Sequence, residues 1–144
     1  MSAITLIPDV VRNQDIHSLS SVETATAAAK LMMEKDISAV LVYDDKSALI
    51  GIVTERDIAR RVVAQEQDPK TVLLSDLMTR NVFSVLPTDS PTYALRKMVD
   101  KKCRHLPIVE QGRVLGMVSM RDLRISLSMM TGTRGRSLFS RFFG

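Results

Sequence analysis

The chain carries one seven-residue pattern twice, and this duplication restricts its possible folds more than any other feature. GIVTERD occupies residues 51–57 and GMVSMRD occupies residues 116–122, with glycine, valine, arginine and aspartate at matching places. A further place keeps a hydroxyl group, as threonine in one heptad and serine in the other. Because 144 residues is the length of one ordinary domain, the repeat predicts a single module built from two similar halves.

The similarity continues upstream of both heptads. Residues 21–35 align with 87–101, and both stretches open with Ser, Thr or Asp before apolar residues at helical spacing, which predicts a helix in each. Residues 37–43 align with 103–109, and both are short, apolar and rich in β-branched side chains, which predicts strands. Each heptad then ends a second strand and begins a second helix.

Each repeat is therefore predicted to run strand, helix, strand, strand, helix, giving an α/β (α+β) fold with two halves related by a pseudo-two-fold axis. A hairpin with two helices buries little apolar surface alone, so we expect the halves to pack together and any pocket to occur twice. The leading strands are predicted at 16–19 and 82–85, and the helices after the heptads at 55–67 and 120–130. The predicted divisions are a first repeat with its N-terminal segment (1–67), a connector with a helical turn capped by Ser75 (68–75), a second repeat (76–130) and a basic, aromatic tail (131–144).

The heptads allow two chemical interpretations. Thr54 and Ser119 stand where a helix N-cap belongs, and Asp57 and Asp122 follow three residues later, which is the spacing of a capping box. Alternatively, a helix N-terminus suits a phosphate, and a carboxylate beside it can accept hydrogen bonds from two ribose hydroxyls. A cap needs neither the glycine nor the arginine of the pattern, so their repetition favours binding.

These features resemble a tandem pair of CBS domains, the modules named after cystathionine β-synthase. The resemblance covers about residues 10–128 and rests on the two heptads, on HLPIV at 105–109 and on DLMTRNV at 76–82. It implies a regulatory module, often called a Bateman module, that forms a disk-like homodimer and binds AMP, ATP, NAD(H), S-adenosylmethionine or another adenine-containing ligand. It also implies that the regulated target is a separate, unidentified protein.

The resemblance implies two clefts, each combining the heptad of one repeat with strands of the other. In each, the aspartate would hold the ribose, strand residues would surround the adenine and basic residues would meet phosphates. The first cleft would contain Thr54, Arg56, Asp57, Thr79, Val82, Arg104 and His105. The second would contain Ser119, Arg121, Asp122, Ile16, Ser38, Ala39 and Val40. The family's Met-Thr pair is absent from residues 10–16, and SAVL replaces RHLP in the first repeat, so the first cleft is expected to bind anions better.

Catalysis and metal binding are not expected. The sequence has no P-loop, no HExxH and no nucleophile elbow, and its two histidines, His17 and His105, both lie on predicted strands. Cys103 and His105 would share one strand face, but no obvious cluster supplies further ligands, so neither a metal nor a catalytic cofactor is predicted. Cys103 is interpreted as a small buried apolar residue.

The charge distribution also argues against nucleic acid. Of the net charge of +4, three positive charges are the arginines of 131–144, which leaves 17 basic against 16 acidic residues, or +1, elsewhere. The run KKCRH at 101–105 is short and lacks interleaved aromatic residues. No apolar run reaches the roughly 18 residues that a membrane span requires and no signal peptide is evident, so a cytoplasmic location is expected.

The tail holds three of the four phenylalanines, Phe139, Phe142 and Phe143, together with its three arginines. Such a segment either packs on the protein itself or its dimer partner, or docks on a target protein or an anionic membrane surface. The second possibility provides the alternative function: an adaptor that works through its tail, with clefts that are only structural.

Overall fold

The computed structural model describes residues 3–131, which form two compact units. The first-repeat unit comprises residues 17–82. The second-repeat unit comprises residues 3–16 and 83–131. The N-terminal segment thus packs with the second repeat. Residues 68–82, which are the predicted connector and the first residues assigned to the second repeat, pack with the first repeat and are called the connector from here on. The tail beyond Thr131, for which packing or docking was predicted, lies outside the described residues.

Mixed helices and strands confirm the predicted α+β class. The strands are β1 (Ser18–Ser20), β2 (Ala39–Tyr43), β3 (Leu49–Thr54), β4 (His105–Glu110) and β5 (Arg113–Ser119). The helices are α1 (Ala25–Lys35), α2 (Glu55–Ile58), α3 (Leu74–Leu77), α4 (Pro91–Lys101) and α5 (Met120–Thr131), with π-helical turns at Leu6–Val10 and Ala59–Val63. Within residues 3–131, no helix has the length and apolar character needed to cross a membrane.

The two long helices that precede the hairpins begin and end in the same way. The Thr24 hydroxyl accepts a hydrogen bond of 3.2 Å from the Ala27 N–H, and the Ser90 hydroxyl accepts one of 3.1 Å from the Tyr93 N–H. Each hydroxyl satisfies an N–H group that would otherwise lack a partner in the first turn. At the other end of each helix, a non-glycine residue adopts left-handed backbone geometry, Asp36 in α1 and Lys102 in α4. The helices predicted within 21–35 and 87–101 are confirmed.

Both hairpins contain a bulge next to the heptad glycine. In the first-repeat unit, β1 pairs in parallel with β2, and β2 pairs in antiparallel fashion with β3. The register between β2 and β3 shifts directly after the pair Val42–Gly51. In the second-repeat unit, β4 and β5 are antiparallel, and their register shifts directly after the pair Ile108–Gly116. The equivalent irregularity in both units agrees with the duplication read from the sequence.

Each unit has its own buried core, to which the segment outside its repeat contributes. The core of the first-repeat unit includes Leu74, Leu77 and Met78 from the connector, packed with residues of α1, β2 and β3. The core of the second-repeat unit includes Leu6 and Val11 from the N-terminal segment. Burying one leucine-sized side chain is worth about 1.5–3 kcal/mol, so these segments contribute substantially to the stability of each unit.

Several predicted elements differ from the structure. The strand predicted at 82–85 is reduced to one bridge between Val85 and Ile108. Its partner strand contains Pro107, which has no N–H to donate, and the Pro107 carbonyl accepts from the Val85 N–H instead. The strand predicted at 16–19 begins two residues later, at Ser18.

Two helix predictions also require correction. The helix predicted at 55–67 ends its α-helical part at Ile58 and continues as a π-helical turn, because the Ala64 N–H reaches back five residues to the Ala59 carbonyl. The connector helix starts at Leu74 with no side-chain cap, so Ser75 lies inside it and does not cap it.

Candidate functional site

Asp57 occupies a capping box at the junction of β3 and α2. Its carboxylate oxygen Oδ2 accepts a hydrogen bond of 2.9 Å from the Thr54 N–H, and the Thr54 hydroxyl accepts one of 3.1 Å from the Asp57 N–H. The Asp57 side chain is only 15% exposed. Two N–H groups at the helix start are therefore satisfied reciprocally, as the capping interpretation predicts.

The second heptad has the same geometry. Asp122 Oδ2 accepts a hydrogen bond of 2.8 Å from the Ser119 N–H, and the Ser119 hydroxyl accepts one of 3.0 Å from the Asp122 N–H. Each box uses one oxygen of its carboxylate. The other oxygen, Oδ1, does not take part in the box, so capping and ligand binding do not exclude one another at these aspartates.

The heptad glycines allow other side chains of the same unit to approach closely. A Cβ atom at Gly51 would lie 2.3 Å from Sδ of Met78, which real structures do not tolerate. A Cβ atom at Gly116 would lie 3.1 Å from Oε1 of Gln14 and 3.3 Å from Cγ1 of Val11. Within residues 3–131, both heptad glycines therefore lie beside a bulge and are approached closely by side chains.

The first strand of each hairpin begins beside the heptad of its own unit. Ala39 pairs with Thr54, and the Glu55 N–H donates to the Ser38 carbonyl at 3.0 Å. In the other unit, His105 pairs with Ser119, and the Met120 N–H donates to the Arg104 carbonyl at 2.8 Å.

Each repeat thus places two of its predicted hairpin residues next to its own capping box. The grouping that the family resemblance implies, with Arg104 and His105 serving the Asp57 heptad, remains a prediction. So does the grouping of Ser38, Ala39 and Val40 with the Asp122 heptad.

The connector reaches the outer edge of β3 through Thr79. The Thr79 N–H donates to the Ile52 carbonyl at 3.0 Å, and the Ile52 N–H donates to the Thr79 carbonyl at 3.1 Å. These bonds hold Thr79 beside Ile52, which precedes Thr54 of the Asp57 capping box by two residues. Val82, the last residue of the first-repeat unit, is half-buried, and its N–H donates to the Arg80 carbonyl.

The remaining predicted residues differ in accessibility. Arg56, Arg104 and Arg121 are exposed, and their role toward phosphates remains a prediction. Ile16 precedes β1 and is 39% exposed. Val40 is fully buried in the core of the first-repeat unit.

Sequence reasoning missed Arg61. Its Nη1 donates to the Leu77 carbonyl at 2.7 Å and to the Met78 carbonyl at 3.2 Å, while its Nε lies 3.8 Å from Oδ1 of Asp57. The only available signal was the spacing of four residues between Asp57 and Arg61, which places opposite charges on one helix face. The contacts with the connector carbonyls could not be foreseen from that spacing.

Cys103 lies before β4, which begins at His105, so the two residues are not both on that strand as the sequence suggested. The cysteine is half-buried and packs against the core of the second-repeat unit, and this burial raises the pKa of its thiol. Among the side chains of residues 3–131, no group of three or more His, Cys, Asp or Glu residues is arranged to hold a metal ion.

Comparison with known proteins agrees with the paired architecture. Two stretches of the chain, residues 9–64 and 74–128, match the family described as CBS domain. The chain belongs to the CBS-domain family. Its CBS repeats also match an uncharacterized protein of Methanopyrus kandleri, with 38% identity over 114 residues, covering 78% of this chain and 58% of that protein. Hypoxic response protein 1 of Mycobacterium tuberculosis is 30% identical over 113 residues, covering 78% of this chain and 79% of that protein.

Solved structures contain the same CBS-pair fold. A putative signal-transduction protein with CBS domains from Burkholderia ambifaria matches with a TM-score of 0.78 and 32% identity, covering 87% of this chain and 93% of that one. The hexameric CBS-CP12 protein of bloom-forming cyanobacteria matches with a TM-score of 0.76 and 28% identity, covering 83% of this chain and 70% of that one.

The chain spans 58% of the length of the M. kandleri protein and 18% of CBSCBSPB2 of Arabidopsis thaliana, to which it is 41% identical over 97 residues, covering 67% of this chain. Tandem CBS proteins are generally regulatory, ligand-binding modules and not catalysts.

Proposed function

We propose that this protein binds an adenine nucleotide and signals the presence of the bound nucleotide to a separate target protein. The observation that carries the proposal is the pair of capping boxes, in which each heptad holds an aspartate at a helix start with one carboxylate oxygen outside the box. Such an oxygen can accept a hydrogen bond from a ribose hydroxyl. Membership in the CBS-domain family supports an adenine-containing ligand.

The two heptads would not be equivalent sites. Thr79 is held by two backbone hydrogen bonds beside the first heptad, whereas the N-terminal segment contributes the Gln14 side chain beside the second. A ligand that stabilises one arrangement over another shifts the population of the whole protein, and regulation requires no more than this. We propose the Asp57 heptad as the tighter of the two sites.

Melting curves with AMP, ADP, ATP, NAD(H) and S-adenosylmethionine test the proposal. A nucleotide that binds the folded state alone stabilises it by about 2.7 kcal/mol at a hundredfold excess over its dissociation constant. GTP and CTP at the same concentration serve as controls for general anion effects. If no adenine ligand raises the melting temperature at millimolar concentration, nucleotide sensing is not the function.

The alternative is an adaptor that works through residues 131–144. It is supported by the position of three phenylalanines and three arginines after the family match ends at residue 128. In that case deletion of the tail would abolish binding to the target or to anionic membranes whether or not a nucleotide is bound.

A further inference from the structure

Arg61 connects the Asp57 carboxylate to the end of the connector helix α3. One nitrogen of its guanidinium, Nη1, donates to the carbonyls of Leu77 and Met78, and another, Nε, lies 3.8 Å from Asp57 Oδ1. The last carbonyls of a helix lack partners within it, so the Arg61 guanidinium satisfies groups that would otherwise have none in α3. The arginine fork suits this arrangement because its donors point in several fixed directions at once.

The contacts of Arg61 close a ring within the first-repeat unit. From Asp57 the ring passes through Arg61 to Met78, and the next residue, Thr79, pairs with Ile52 of β3. Strand β3 then leads directly back through Thr54 to the Asp57 capping box. The Asp57 carboxylate is therefore connected to the Thr79 backbone through the contact of Arg61 with the Met78 carbonyl.

The second heptad differs from the first at the place of Arg61. At the heptad offset of 65 residues, the place of Arg61 is taken by Ser126, which carries no cationic fork. The edge of β5 is contacted by the Gln14 side chain instead of by a paired backbone. The repeats therefore differ in the side chain four residues after each heptad aspartate. They also differ in the group that contacts the edge of each heptad strand, a backbone in the first repeat and a side chain in the second.

We infer that Arg61 is a positioning residue that couples the Asp57 heptad to the connector, so that a ligand held by Asp57 also orders Thr79. The inference rests on the proposed nucleotide function for its ligand. A ribose hydroxyl that donates to Asp57 Oδ1 would share this oxygen with the Arg61 guanidinium. Because Arg61 is 45% exposed, its attraction to Asp57 is weak, and its two hydrogen bonds to the connector carry most of the coupling.

The test compares the wild-type protein with Arg61→Gln, Arg61→Lys and the control Arg60→Gln, which removes an exposed neighbouring charge from the same turn. AMP and ATP affinities are measured by calorimetric titration, and hydrogen exchange at the Thr79 and Ile52 amides is followed by NMR with and without nucleotide. We expect Arg61→Gln to weaken binding by about two- to fivefold, the range of an exposed ion pair. We also expect nucleotide to stop slowing exchange at Thr79 in this variant, while Arg60→Gln behaves as wild type.

Arg61→Lys keeps the charge without the fork, so it should retain most of the affinity and lose the protection of Thr79. This split separates positioning from simple charge attraction. If nucleotide slows Thr79 exchange equally in wild type and in Arg61→Gln, the coupling does not pass through Arg61 and the inference is overturned.

A nucleotide-free measurement separates this inference from the proposed function. Asp57→Asn, Arg61→Gln and the double variant form a cycle read out as Thr79 exchange. If the wild-type protein binds no nucleotide, the proposed function fails, yet a non-additive cycle still supports the link between Asp57 and Thr79. Additive effects in the cycle contradict the link regardless of nucleotide binding.

Discussion

The side-chain oxygen Oε1 of Gln14 accepts a hydrogen bond of 2.7 Å from the backbone N–H of Met117. At the corresponding place in the other repeat, the Ile52 N–H donates to a backbone carbonyl, that of Thr79, at 3.1 Å. Residues 10–16 lack the Met-Thr pair of the connector, and a glutamine side chain supplies the acceptor that the Thr79 backbone supplies elsewhere. In both repeats the heptad strand therefore donates an N–H at its edge, to a backbone carbonyl in the first repeat and to a side-chain amide oxygen in the second.

We predict that Gln14→Ala destabilises the second-repeat unit by about 0.5–1.5 kcal/mol, because a net intramolecular hydrogen bond contributes that much. Urea denaturation gives the change, and hydrogen exchange at the Met117 amide should accelerate. The control is Asp15→Ala, which alters an exposed neighbour. Equal stability and equal Met117 exchange in the two variants would mean that the bond adds nothing in solution.

Gly51→Ala should destabilise the protein by about 1–3 kcal/mol, because the new methyl group would overlap the Met78 side chain. Gly116→Ala is a matched control with a smaller expected cost, since its nearest contact is the movable end of Gln14 at 3.1 Å. Thermal and urea unfolding measure both variants.

The double variant Gly51→Ala/Met78→Ala tests the cause of this effect. Met78→Ala alone should cost about 2–5 kcal/mol through the cavity that it leaves. In the double variant the alanine methyl group can use the vacated space, so the total loss should be smaller than the sum of the single losses. Simple additivity would show that contact with Met78 is not the reason for glycine at position 51.

Asp57→Asn should weaken nucleotide binding by about ten- to a hundredfold, because hydrogen bonds to a charged acceptor contribute about 1.5–3 kcal/mol. Asparagine keeps an oxygen that can accept from the Thr54 N–H, so the ligand-free melting temperature should hardly change. Asp122→Asn should cost less affinity. Calorimetric titration and ligand-free melting of both variants decide between the roles, and unchanged affinity with a lowered melting temperature would leave the carboxylate as a cap alone.

Removal of residues 131–144 should leave nucleotide affinity and the free energy of unfolding unchanged, while it abolishes binding to anionic membranes, which is one of the contacts that the adaptor alternative assigns to the tail. Calorimetry, urea denaturation and sedimentation with vesicles that contain phosphatidylserine measure the three properties. A full-length variant in which Phe139, Phe142 and Phe143 are serine separates the aromatic contribution from chain length. Unfolding or dissociation of the truncated protein would assign the tail a structural role and contradict the adaptor hypothesis.

Burial raises the pKa of the Cys103 thiol, so the folded state retains this proton at a pH where the unfolded chain has lost it. The stabilisation is complete below the ordinary thiol pKa of about 8.5 and is lost as the pH rises through the raised value. The free energy of unfolding should therefore fall more steeply between pH 8 and 10 in wild type than in Cys103→Ala. Urea denaturation across this range measures the difference, and parallel curves would contradict it.

Much of the local structure follows from the sequence alone. Thr54 and Asp57 form their capping box, and Thr24 and Ser90 cap their helices, because these bonds join residues only three apart. The hairpin strands follow from short runs of β-branched residues, and their duplication follows from the repeated heptad. Local propensity and periodicity indicate such features without knowledge of any long-range contact.

The strand predicted at 82–85 marks the limit of such reasoning. Local pattern favoured a strand, but only Val85 pairs, because the neighbouring strand presents Pro107 and lacks a donor there. Whether a short apolar run becomes a strand thus depends on its partner, which lies more than twenty residues away in the chain.

The contacts that distinguish the two heptads were decided by the tertiary structure. Met78 against Gly51, Arg61 on the Leu77 carbonyl and Gln14 on Met117 join residues that lie 27, 16 and 103 positions apart. No sequence periodicity predicts such contacts, because each depends on where the folded chain places the N-terminal segment or the connector relative to the heptad of its unit. The sequence by itself determined that there are two similar heptads with capped aspartates, and the folding of residues 3–16 and 68–82 onto separate units decided how they differ.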